Sequence, residues 1–222
     1  MLFATLALTV LPAAAALVWT LSRESSSPGG RTSLLAALVG GVVAVVVALL
    51  LGTLLGPVGN LLSGEWAQWF RAFILGGVVE EGAKLLAIAA IAAVTARRTG
   101  PLTHSDLVHR GVLVGVGFSL IENTYFALGA PSILLLRTLT AVPLHIGTAA
   151  ITASRFHARR TGKRTVPGDP LVISVLLHAA YDRIANLEGP LAYTAIAVPV
   201  ATLVAAVLLY RAREDEPASD PL

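Results

Sequence analysis

Cysteine is absent from all 222 residues, so neither a disulfide framework nor thiol chemistry is available. Charge is scarce: Asp, Glu, Lys and Arg make up 13% of the chain, against about 25% in soluble globular domains. With 55% hydrophobic residues and a mean hydropathy of +0.78, the chain reads as a multispan membrane protein rather than a soluble domain. The small basic excess lies in short loops between apolar runs. Membrane orientation accounts for it, and nucleic acid is set aside as a partner. No Lys or Arg precedes the Ala-rich stretch Ala13–Ala16, so the positive region of a cleaved signal peptide is missing. The first apolar segment is therefore read as a retained span. No internal repeat and no second domain is evident.

Seven apolar segments are present: Leu2–Leu21, Leu34–Gly56, Trp69–Val94, Leu107–Gly129, Ser132–Ser154, Pro170–Leu187 and Pro190–Tyr210. Gly-, Pro- and Ser-rich breakers such as Thr99-Gly100-Pro101 separate them. The expectation is an all-α polytopic bundle of about seven transmembrane helices. It forms one domain over residues 1–213, with an acidic disordered tail at 214–222. Arg23, Arg31, Arg97, Arg98, Arg155, Arg159, Arg160, Lys163, Arg164, Arg211 and Arg213 all fall on one side of such a bundle. The positive-inside rule then puts the N-terminus outside, the C-terminus in the cytoplasm, and the chain in the plasma membrane. Gly52/Gly56 and Gly111/Gly115 have the spacing that lets helices pack closely.

Glu80, Glu81 and Lys84 interrupt the third apolar segment. Each charge near the bilayer centre costs about 2.5–3.5 kcal/mol, so three within five residues need a compensating reason. Lys84 is four residues after Glu80 and three after Glu81, and reaches either on one helix face. Glu122 and Asn123 lie in the fourth segment, His145 in the fifth, and His178 with Asp182 in the sixth. At 1.5 Å of rise per residue, Glu80, Glu122, His145, His178 and Asp182 lie roughly 12–22 Å from the cytoplasmic ends of their helices. That is one central slab of a core about 30 Å thick.

Carboxylates, imidazoles and a carboxamide at one depth suit hydrolysis of an amide in the membrane. A divalent metal such as zinc takes two His and one carboxylate, with Glu122, His145 and His178 as candidates, while a second carboxylate acts as base. Without a metal, Glu80 or Glu81 activates water directly and His or Asn123 stabilises the oxyanion. Lys84 and Asp182 are supporting groups. A second reading uses the same cluster as the relay of a proton- or cation-coupled transporter; the lack of a repeat counts against it. Arg137 is read as snorkelling or pairing, Tyr125 as interfacial, and His104, His109 and His157, at or near loops, are given no chemistry.

Four motifs in order carry a resemblance: Glu80-Glu81-x-x-Lys84, Phe118-x-x-x-Glu122-Asn123-x-x-Tyr125, Arg137 with Pro143-x-His145, and His178-x-x-x-Asp182. Over residues 69–187 the chain resembles the PrsW family of intramembrane proteases and, more distantly, the CAAX-prenyl-protease and bacteriocin-processing superfamily. The resemblance implies a membrane peptidase that cuts membrane-anchored protein substrates such as anti-sigma factors. The family is usually described as metalloproteases, while the wider superfamily also invites a metal-free glutamate mechanism. In that superfamily the base after the double Glu comes one position later than Lys84. The resemblance favours Glu80 as the catalytic base, whereas local spacing favours Glu81.

Overall fold

The computed structural model describes residues 10–11, 14–15, 17–18, 30–129, 131–162 and 170–211. Most of the first apolar segment, Arg23, Lys163, Arg164, Arg213 and the acidic tail lie outside the described residues. Among those described, all regular structure is helical.

Helix α1 spans Gly30–Asn60. A helical rod follows in three parts: α2 (Gly64–Trp69), a π-helical stretch (Phe70–Glu80) and α3 (Glu81–Thr99). Backbone angles at Phe70, Glu80 and Glu81 stay helical, so the parts run on without a break. Gly100, at φ 90°, ends the rod; only Gly takes that conformation without strain. Thr103 and Asp106 then start α4 (His104–Gly129) with a reciprocal cap. The Asp106 N–H donates to Thr103 Oγ1 (3.2 Å), and the Thr103 N–H donates to Asp106 Oδ2 (3.0 Å). Helices α5 (Leu134–Arg160), α6 (Val172–Ala185) and α7 (Ala197–Arg211) complete the bundle, with short 3-10 turns at Pro131–Ile133 and Gly189–Ile196.

Helix α4 is the axis. It packs along α5 on one side and α1 on another, while α6 lies against the π-helical stretch and α7 against α5. Close approach of α4 to α5 depends on Gly115, where an added Cβ would stand 2.5 Å from the carbonyl oxygen of His145. Gly111 repeats this one turn earlier against Ala149. The same spacing at Gly52 and Gly56 brings no described residue within 4 Å of an added Cβ.

Four described helical segments are long and apolar enough to cross a bilayer: Gly30–Asn60, His104–Gly129, Leu134–Arg160 and Gly189–Leu209. The rod carries Arg71, Glu80, Glu81 and Lys84, and α6 is only 14 residues long, so neither has the composition or length of a free-standing span. The bundle also buries a polar layer that counting charges in loops does not register. Arg110 is fully buried; its Nε donates to Ser33 Oγ (2.9 Å) and its Nη1 to the Asp106 carbonyl (2.7 Å). His104 and His109, expected at or near a loop, are buried on α4, with His104 Nε2 2.9 Å from Ser154 Oγ.

Gly115→Ala is expected to destabilise the protein by about 1–3 kcal/mol through overpacking. Gly52→Ala should stay within about 0.5 kcal/mol of the parent. Thermal unfolding of the two variants in detergent compares them, and equal shifts would refute this packing account.

Candidate active site

Glu80 closes the π-helical stretch and Glu81 opens α3, so the two carboxylates sit where the helix changes its winding. Wide π turns are rare and recur at functional sites. The stretch meets α6 through Gly76 and Gly77. An added Cβ on Gly76 would collide with the Asp182 carboxylate, and one on Gly77 would press on the Val175 carbonyl at 3.1 Å. Glycine at these positions lets α6 bring His178 and Asp182 up to the glutamates.

Lys84 selects Glu81. Its Nζ donates to Glu81 Oε1 at 2.8 Å, the three-residue spacing rather than the four-residue one. The same oxygen accepts from Thr148 Oγ1 (3.0 Å) on α5 and from His178 Nδ1 (2.7 Å) on α6. Glu81 is 0% exposed. Lys84 Nζ also lies 2.7 Å from His145 Nδ1 and 4.5 Å from the Phe118 ring centroid. His145 Nε2 reaches Glu122 Oε2 at 2.7 Å, and Arg137 Nη2 reaches that oxygen at 2.8 Å. An ammonium only donates and a carboxylate only accepts, so His145 is the tautomer with hydrogen on Nε2.

Glu80 stands outside this chain of bonds. Its Oε2 lies 3.7 Å from His178 Nε2 and has no hydrogen-bond partner among the described residues. Asp182 Oδ2 approaches the same nitrogen at 3.7 Å. The rings of His145 and His178 stand edge to face, with centroids 5.1 Å apart. Four elements thus bring Glu80, Glu81, Lys84, Glu122, His145, His178 and Asp182 together. Asn123 is buried, and neither of its amide atoms bonds to any described residue. By helical period it lies about 20° from Val116, on the side of α4 that packs on Ala150 and Ala206.

A family model for PrsW family intramembrane metalloproteases matches residues 29–210. The chain belongs to the PrsW family. Members are intramembrane proteases, so this is a hydrolase that works on protein substrates in a lipid bilayer. No curated protein and no solved structure matches the chain.

A PrsW metalloprotease calls for a metal, and the donor set fits one. Glu80, His145 and His178 each bring a ligand atom within 4.8 Å of the other two. Two imidazoles and one carboxylate make a catalytic zinc set. The buried, unpartnered Oε2 of Glu80 is a ready ligand oxygen, and His178 Nε2 has no hydrogen bond among the described residues, its nearest carboxylate oxygens lying at 3.7 Å. Both nitrogens of His145 are engaged, so it can join only by releasing Lys84 or Glu122. Glu122, read from sequence as the metal carboxylate, is held here by Arg137 and His145.

Several contacts carried no motif of their own. Thr148 holds Glu81. Ser174 ties α6 to α5 through Thr152 Oγ1 (2.7 Å) and the Thr148 carbonyl (3.0 Å). Their signal is spacing: Thr148 follows His145 by three residues and Ser174 precedes His178 by four, so each shares a helix face with a site histidine.

Lys84→Met leaves the buried Glu81 carboxylate short of its counter-ion, and should cost about 3–5 kcal/mol of stability. Glu81→Gln combined with Lys84→Met should recover part of that loss, because the pair is coupled. Thermal unfolding across this double-mutant cycle measures the coupling; additive losses would disprove it.

Proposed function

We propose that this PrsW protein cuts membrane-anchored, anti-sigma-factor-like proteins at a site centred on Glu80, with Glu80 as the catalytic base. The observation that carries this is the split between the paired glutamates. Glu81 Oε1 is committed to three donors, and taking up a proton would forfeit those charge-assisted bonds. Glu81 Oε2 is likewise without a partner, but Glu80 makes no hydrogen bond through either oxygen among the described residues, and its Oε2 stands beside His178.

In the reaction, a water loses its proton to Glu80 Oε2 as its oxygen attacks the scissile carbonyl carbon. The tetrahedral adduct then collapses, the C–N bond breaks, and Glu80 returns the proton to the leaving nitrogen. His178, oriented by Glu81 through Nδ1, presents Nε2 to the reacting atoms. His145, held between Lys84 and Glu122, donates its Nε2–H to the oxyanion on letting go of Glu122, while Asn123, on the Ala150 side of α4, would have to turn towards the site to add a second donor. A zinc ion, if held by His145, His178 and Glu122, would supply Lewis-acid polarisation of carbonyl and water and leave Glu80 free as the base. The transporter reading is not favoured, because the matched family is one of proteases.

The same reading takes the chain as a single seven-span domain over residues 1–213, with a tail at 214–222, in the plasma membrane. Its C-terminal side is cytoplasmic. Arg97 and Arg98 in the last turn of α3, and Arg159 and Arg160 in the last turn of α5, support that orientation.

Purified protein in proteoliposomes with a membrane-anchored substrate tests the mechanism. Glu80→Gln should lower kcat by at least about 100-fold, the usual scale for a general base. His178→Ala should fall comparably, with thermal unfolding checked to exclude misfolding. Cleavage at the parental rate by both variants would end the proposal. Elemental analysis of the same preparation should find about one zinc per chain, and a chelator should abolish cleavage until zinc is restored. Full activity in metal-free protein would move the chemistry to Glu80 alone.

A further inference from the structure

The site is most open on the α6 side. His178 is 3% exposed, Glu80 21% and Asp182 30%. Beyond Asp182 lies a polar cavity of about 310 Å³, room for roughly ten waters at about 30 Å³ each. Its lining is Gln68, Arg71 and Ala72 from the rod, and Asp182, Arg183 and Asn186 from the end of α6. On the other flank, the Glu122–Arg137 ion pair closes over His145.

The two guanidinium groups of the cavity differ. Arg183 is committed: its Nη2 pairs with Glu65, and it lies 5.7 Å from the Trp69 ring centroid. Arg71 is exposed and has no ion-pair partner among the described residues. Gln68 and Asn186 add carboxamides beside it. Asn186 Nδ2 donates to the Asp182 carbonyl at 2.7 Å, which turns that side chain back along α6. An uncommitted cation with amide donors, in a cavity that joins the reacting groups through Asp182, has the chemistry of a carboxylate subsite. The Asp182 carboxylate repels an anion set against it, which leaves the Arg71 side of the cavity for the ligand.

We propose that this cavity is the substrate entry and that Arg71 selects an acidic side chain close to the scissile bond. The inference rests on the protease reading above and goes beyond it by naming a specificity residue. As a polypeptide enters past Trp66 and Trp69, Arg71 fixes its register by pairing with one Asp or Glu. The peptide bond a short distance along then lies over Glu80 and His178.

Two readouts test this in proteoliposomes of zwitterionic lipid, where no anionic headgroup competes. In the first, Asp is moved residue by residue along the segment flanking the anchor of a single-span substrate, against matched Asn and Lys series. Parent protein should cleave one or two Asp registers with kcat/KM roughly tenfold above Asn, the scale of one hydrogen-bonded charge contact. Arg71→Gln should bring the ratio close to one, and Arg71→Glu should favour Lys in that same register. In the second, an acidic peptide from the preferred register is titrated by fluorescence anisotropy against Glu80→Gln protein, with and without Arg71→Glu. Binding weakened roughly tenfold by Arg71→Glu supports the subsite whether or not cleavage occurs. Cleavage with equal rates for Asp, Asn and Lys in every register, or a ratio indifferent to Arg71→Gln and Arg71→Glu, overturns the inference and leaves the protease reading intact. Arg71-dependent peptide binding without cleavage of any substrate overturns the protease reading and leaves the subsite standing.

Discussion

One carboxylate oxygen ties the bundle together. Glu81 Oε1 accepts from Lys84 on its own helix, Thr148 on α5 and His178 on α6. A hydrogen bond to a charged group is worth about 1.5–3 kcal/mol, so three of them together are of the same order as the cost of inserting the Glu81 and Lys84 charges, about 2.5–3.5 kcal/mol each. The rest follows from that oxygen. Lys84 Nζ, bonded to that oxygen, also holds His145 Nδ1, and His145 in turn meets Glu122, which pairs with Arg137. His178, anchored through Nδ1, has its second nitrogen left beside Glu80 and Asp182. The network rigidifies what it touches, although Glu81 Oε2 has no partner in it, and Glu80 stands outside it.

Much of the candidate site was legible from the chain, because helical rise is constant. Residue counts alone set Glu80, Glu122, His145, His178 and Asp182 at compatible depth, and the bundle brings them together. Which glutamate Lys84 would choose was not legible, since three- and four-residue spacings both reach on a regular helix. The winding changes between Glu80 and Glu81, and the partnership falls on Glu81. Equal glycine spacing proved equally ambiguous. Gly111 and Gly115 sit under α5, whereas Gly52 and Gly56 meet no described residue, and nothing in the four residues distinguishes them. Arg110 escaped notice for a related reason: near a helix end it resembles an orientation signal, yet it is wholly buried with Ser33 and the Asp106 carbonyl as partners.

The arrangement divides labour between flanks. Towards α5 the polar groups are densely bonded, ending in Arg137, which stacks on Phe126 at 3.6 Å. Towards α6 they are sparsely bonded and increasingly open. Saturated groups resist change in protonation and position, and undersaturated ones are available for bond making. Two carboxylates adjacent in sequence therefore belong to different halves of one site, Glu81 bonded to three donors and Glu80 outside the network.

The brevity of α6 bears on the surrounding lipid. Its 14 residues rise about 21 Å, well short of a hydrocarbon core about 30 Å thick. Such a mismatch is met by thinning the bilayer around the short element, by snorkelling of flanking residues or by packing against other helices. Where the bilayer thins, the headgroup layer comes nearer to the flank that carries His178 and Asp182. A thicker, sterol-stiffened bilayer resists that deformation, so the shape of the lipid becomes part of the environment in which a peptide bond meets water.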